Sequence, residues 1–142
     1  MEDSSVRAAR DVVVVFSRLR RRLREVADPQ GLTPSQRSVL SRLDKDGPAS
    51  ASGLATAERV RPQSMAAILG ALEQQALIER RPDPEDGRRQ LVTLTGAGHA
   101  HVEGTRQAKE EWLVHALREH CTENERRTVA DAMAILDRLT HT

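Results

Sequence analysis

Between Ser50 and Thr95 the chain carries residue types that read a DNA groove, in an order that two short helices and a hairpin would present. Gln63 and Ser64 stand just after Pro62. Glutamine can pair bidentately with adenine, and serine is a less selective partner of base edges. Arg61, one residue ahead of the proline, can reach a guanine or a phosphate. A helix starting there would also aim its own N–H groups and dipole at a phosphate. Helix capping is the plainer role open to Gln63 and Ser64. Arg88 and Arg89 follow Gly87 at the end of a turn-rich segment. Arg88 suits a narrow minor groove, where negative potential is strongest, and Arg89 suits a phosphate.

Other chemistry is poorly served. His99, His101 and Glu103 suggest a metal, but residues two apart on a helix point to different sides, so only His99 and Glu103 share a face. A structural metal site normally needs about four converging ligands, and no metal or other cofactor is expected. Cys121, the single cysteine, excludes an intramolecular disulfide and fits a reducing compartment. Beside His120 it has two roles open, an oxidation sensor and a small buried hydrophobe, the second being the commoner for free cysteine. No nucleophile–base pair stands at usable spacing. Gly96-Ala97-Gly98 is too short for a dinucleotide fingerprint. The chain is not expected to be an enzyme.

The elements that must hold the reading residues follow from periodicity and punctuation. Residues 50–59 read as a short helix with Leu54 and Ala55 as its apolar side. Pro62 suits the first position of the next helix, because its missing N–H would be unpaired there anyway. Met65, Ile68, Leu69 and Leu72 share one face of that helix, opposite Arg61, Gln63, Ser64 and Ala67. Ile78–Arg81 and Arg88–Leu94 read as strands around the tip Pro82-Asp83-Pro84-Glu85-Asp86-Gly87.

Outside this lobe, Val12, Val15, Phe16, Leu19, Leu23 and Val26 recur at helical spacing over about residues 6–27. The arginines among them, Arg18 to Arg24, form either a solvated face or a set of phosphate contacts. Residues 28–31 read as a turn, Thr33-Pro34 as a helix start with Val39, Leu40 and Leu43 inside, and Asp46-Gly47-Pro48 as its stop. A long helix runs from about Gly98 to His120, with Ala100, Ala108, Trp112, Leu113, Ala116 and Leu117 as buried candidates. Thr122-Glu-Asn-Glu125 matches a capping box and opens a last helix carrying Val129, Ala132, Met133, Leu136 and Leu139 on one side. The fold class is therefore mainly α with a small β-hairpin wing: a winged helix-turn-helix lobe at 32–95, with terminal helices at 1–30 and 98–142. A single copy would leave the apolar sides of those terminal helices wet, so a homodimer is expected.

The 142 residues suffice for one domain, yet aromatic volume is confined to Phe16 and Trp112. Both are read as core. Net charge is only +1, unlike the basic footprint expected of a nucleic-acid binder. Residues 50–95 hold six arginines against six acids, so those arginines matter by position and not by total. No apolar run spans a membrane and no secretory signal is visible, which places the protein in the cytoplasm as an expectation.

Three segments resemble the MarR family of winged helix-turn-helix regulators. Leu32-Thr-Pro-Ser-Gln-Arg-Ser-Val-Leu40 is similar to the family's second helix, Leu54-Ala55 through Leu72-Glu73 to its helix-turn-helix, and Leu77-Ile78-Glu79-Arg80 to the approach to its wing. Asp83 to Gly98 follows the wing signature, here Asp86, Arg88, Val92, Leu94 and Thr95. The resemblance implies a dimer on a palindromic promoter site of double-stranded DNA, released by a ligand or oxidant. It also implies Arg88 in the minor groove, with Asp86 as an ion-pair partner that holds the wing's shape. Effectors of such proteins are often small aromatic or lipophilic molecules, for which Phe16 and Trp112 are the aromatic candidates here. Repression is the simpler outcome, since a dimer covering a promoter blocks polymerase unaided. A winged-helix partner-binding or anti-regulator protein without specific DNA binding is the alternative.

Overall fold

The computed structural model describes residues 1, 3–27 and 31–142. Among them are six helices and three strands: α1 (Ser4–Ala27), α2 (Pro34–Asp46), β1 (Ala49–Ser50), α3 (Ala51–Glu58), α4 (Pro62–Gln74), β2 (Ile78–Pro82), β3 (Gln90–Leu94), α5 (Gly96–His120) and α6 (Glu123–Leu139). The turn expected at 28–31 falls mostly on Asp28, Pro29 and Gln30, which lie outside the described residues. Two compact units are present, one of residues 1–27 and 107–142, the other of residues 28–106.

In the second unit, α2 starts where Thr33 accepts the Gln36 N–H and the Gln36 side chain returns a bond to the Thr33 N–H. Pro34 occupies the first turn, where its missing donor is harmless. Gly47, at φ 83°, ends the helix in a conformation that other residues resist. Thr33→Ala is expected to remove about 1 kcal/mol of stability, the usual worth of such a cap. Urea denaturation checks it, with an unchanged slope and a lower midpoint.

Strands β2 and β3 pair antiparallel from Ile78↔Leu94 to Pro82↔Gln90, and β1 adds to the other edge of β3 through Ala49↔Val92 and Ser50↔Leu91. The sheet order is β1-β3-β2. The expected hairpin is therefore the larger part of a three-stranded sheet, and Ser50 belongs to strand and N-cap, not to the helix. The core gathers Val39, Leu40 and Leu43 of α2, Leu54 of α3, Met65, Leu69 and Leu72 of α4, and Ile78, Val92 and Leu94 of the sheet. Residues spaced three and four apart on α4 thus bury one face, as its sequence indicates.

The first unit holds α1, α6 and most of α5. Thr122 and Glu125 close the capping box at the start of α6. The Thr122 backbone N–H, then its side chain, hold the Glu125 carboxyl below its ordinary range. Val6, Val13, Val15 and Phe16 on α1, and Val129, Met133, Ile135 and Leu139 on α6, are exposed in the single chain. Phe16 is thus not core, a correction to the sequence reading. Trp112 is half-buried beneath the Arg22 guanidinium, 5.5 Å from the ring centroid. Arg22 also bonds Glu25 at 3.1 Å, so at least this member of the arginine cluster serves its own unit. Ala100 is a second correction: it is exposed, whereas Gly98 is the buried residue of α5.

Candidate nucleic-acid interface

The first half of the site is the α3–α4 turn. Helix α3 ends at Arg59 in the left-handed region (φ 56°, ψ 42°), and Arg61 is the N-cap of α4 in extended conformation. Pro62 takes the first turn as expected. The Arg61 side chain makes no capping bond at that end, and first-turn N–H groups of a helix are open to water or an anion. Arg61, Gln63 and Ser64 are all exposed, while Met65 behind them is buried. The burial of Met65, Leu69 and Leu72 fixes which way these polar side chains face.

The second half is the wing. Its tip is held by its own backbone: the Asp83 N–H donates to the Arg89 carbonyl at 2.9 Å, and the Arg89 N–H to the Asp86 carbonyl at 3.0 Å. Asp83 accepts the Glu85 N–H at 2.9 Å and Asp86 accepts the Arg88 N–H at 3.1 Å. Each is an aspartate bonding the backbone two residues on, the arrangement that makes this residue frequent in turns. Arg88 and Arg89 accordingly stand in the turn and not in β3. Asp86 touches Arg88 through the backbone N–H, and among the described residues no ion pair joins its carboxylate to the Arg88 guanidinium. The expected ion pair is corrected to a turn-closing hydrogen bond. Arg88, Arg89 and Gln90 line a shallow open groove with Ser50, Ser52 and Arg80.

The neutral charge of this region has a local explanation. Arg42 lies against Glu58 and Asp46, Arg80 against Glu73, Arg81 against Glu79, and Arg106 against Asp44. Arg37 donates to the Leu32 carbonyl at 2.7 Å. Among the described residues of this unit, Arg59, Arg61, Arg88 and Arg89 have no such carboxylate. Asp44, Asp46, Glu58, Glu73 and Glu79 are placed against the other arginines, Asp83, Glu85 and Asp86 stay in the wing turn, and the arginines without such a partner fall at the helix-turn-helix turn and the wing. Charge counting along the sequence could not separate these two sets. Sequence reasoning also passed over Arg59, whose backbone conformation carries no signal in a non-glycine residue.

Remaining candidates are scattered. His99 lies 4.0 Å from Asp44, and no group of three metal-type ligands forms among the described residues. Cys121 is half-buried, and its carbonyl accepts a 2.6 Å bond from Arg126. Among the described residues, no helix is long and apolar enough to cross a membrane.

Comparison with known proteins places these features. Residues 32–89 match the MarR family. An uncharacterized HTH-type transcriptional regulator of Mycobacterium leprae is 38% identical over 82% of each chain. The HTH-type transcriptional repressor MdtR of Bacillus subtilis is 32% identical over 63% of this chain and 57% of its own. Among solved structures, a candidate transcriptional regulator protein from Pseudomonas aeruginosa is 34% identical, with a TM-score of 0.84 over 100% of this chain and 99% of that one. Wild-type MarR from E. coli in its apo form is 26% identical, with a TM-score of 0.68 over 90% of this chain and 95% of that one.

Proposed function

We propose that this chain, which belongs to the MarR family and is a DNA-binding transcriptional regulator, not an enzyme, works as a homodimeric repressor on a palindromic promoter site. The observation that carries the reading is the placement of the unmatched guanidiniums of Arg61, Arg88 and Arg89. A paired arginine is engaged within the fold; these three are exposed and available to an outside anion, and duplex DNA offers one at each phosphate. Gln63 and Ser64 then meet base edges in the major groove, Arg61 a guanine or phosphate, Arg88 the minor groove and Arg89 a phosphate. Asp86 keeps the wing turn closed so that Arg88 is presented.

Pairing of two copies is supported by the exposed apolar side chains of α1 and α6, which water would otherwise cover. A two-fold dimer also spaces two reading helices for a two-fold DNA site. Repression is supported by the name of the Bacillus subtilis relative. Release by a small lipophilic or aromatic ligand, and residence in the cytoplasm, rest on family kinship. The partner-binding alternative draws its force from the lobe's neutrality, to which Asp83, Glu85 and Asp86 of the wing turn contribute.

The deciding experiment is a gel shift of the purified protein on DNA from upstream of its own coding region, with and without excess unrelated duplex. The expected outcome is a shift that survives competitor and contains two chains per duplex. A shift abolished by competitor, or none at all, would leave specific regulation unsupported.

A further inference from the structure

We propose that Arg59 is a DNA-backbone contact, held at the mouth of the major groove by a left-handed residue that most chains would fill with glycine; the inference rests on the DNA-binding reading above. Arg59 ends α3 with φ 56°, its N–H donating to the Thr56 carbonyl at 3.2 Å, while the Val60 N–H donates to the Ala55 carbonyl at 3.0 Å. This six-to-one closure favours glycine at the left-handed position, because a side chain there crowds the following carbonyl. Ala76 ends α4 in the same way at φ 59°, so the conformation alone assigns no role. The difference lies in what each side chain offers. Ala76 offers none, whereas Arg59 extends an exposed guanidinium without a carboxylate beside it among the described residues.

Its neighbour Glu58 is engaged elsewhere, accepting from the Ser38 hydroxyl at 2.6 Å and facing Arg42 at 3.5 Å. Arg59 is also two residues before Arg61, the N-cap of the reading helix, on a turn whose bonds fix the chain's direction. A helix that enters the major groove by its N-terminus brings the residues just ahead of it to the groove's edge, where phosphates stand and base edges do not. The contact is therefore sequence-independent, which separates Arg59 from Gln63.

Two neutral variants test it. Arg59→Gln removes the charge and keeps the backbone preference, and Arg59→Asn removes both the charge and the strain, since asparagine tolerates this region. Operator and unrelated duplexes are titrated with wild type and both variants at a series of salt concentrations. Both variants are expected to lose affinity for the two duplexes by the same factor, on the order of fivefold per bound copy near physiological salt. The slope of log affinity against log salt is expected to fall by about 0.9 per copy. Arg59→Asn should melt no lower than wild type, which excludes misfolding as the cause. Wild-type slope and affinities in the variants would overturn the contact while leaving DNA binding intact. A loss on operator alone would make Arg59 a base reader and also overturn it. Failure of the wild type to bind either duplex would overturn this inference and the DNA-binding reading together.

Discussion

Gly98→Ala is expected to destabilise the protein by about 3 kcal/mol or more, beyond the usual range for a single added methyl in a packed site. A Cβ built at Gly98 falls 2.1 Å from the Leu77 carbonyl oxygen, 3.1 Å from its carbon and 3.2 Å from the Leu94 side chain. The carbonyl cannot move aside cheaply. Its oxygen accepts the Thr95 N–H at 3.1 Å, and the Leu77 N–H donates to Leu72 at 3.1 Å. On the other side, Gly98 donates its own N–H to the Thr95 hydroxyl, which in turn donates to the Ala76 carbonyl. Helix preference alone would favour alanine by about 1 kcal/mol, so the contact decides the sign. Gly104 supplies the contrast, since it lies in the same helix with nothing within 4 Å of an added Cβ. Gly104→Ala should therefore stabilise by about 1 kcal/mol. Urea midpoints of the two variants measured side by side check both; a neutral Gly98→Ala would mean that the start of α5 shifts freely.

Arg88→Ala is expected to weaken operator binding by about 1–3 kcal/mol, the worth of one good groove contact. The guanidinium has no carboxylate beside it among the described residues, so its removal leaves the fold's own ion pairs untouched. A labelled-duplex titration of wild type and variant reads the loss, and equal affinities would remove the wing from the mechanism. Asp86 separates two accounts of the turn. Its carboxylate accepts the Arg88 backbone N–H, so Asp86→Asn, which keeps an acceptor oxygen, should bind like wild type, while Asp86→Ala should bind more weakly. An ion-pair role would make the two substitutions equally damaging.

Much of the architecture is legible because its punctuation is local. Thr33-Pro34 opens α2, Thr122 and Glu125 open α6, and Pro62 opens α4, each by a rule that needs only neighbouring residues. Strand β1 is not legible: two residues have no periodicity, and they are strand only because β3 lies beside them. Ala100 is misjudged for a related reason, since which small residue of α5 faces Leu77 depends on where the helix starts against the sheet. Among the proposed DNA-contacting residues, type and spacing pointed to Arg61, Gln63, Ser64, Arg88 and Arg89, whereas the turn bond of Asp86 and the conformation of Arg59 require coordinates.

The internal matching of acids to arginines also shapes how the protein searches. A strongly basic regulator is held by every stretch of chromosome and is largely parked on random sequence. This chain has a net charge of +1, and on the proposed DNA-binding reading only a few of its lobe's cations face the duplex. Its residence on random DNA should be brief, leaving more of a small population free to find a target. Occupancy of a promoter would then follow copy number closely, without a large genomic reservoir to buffer it.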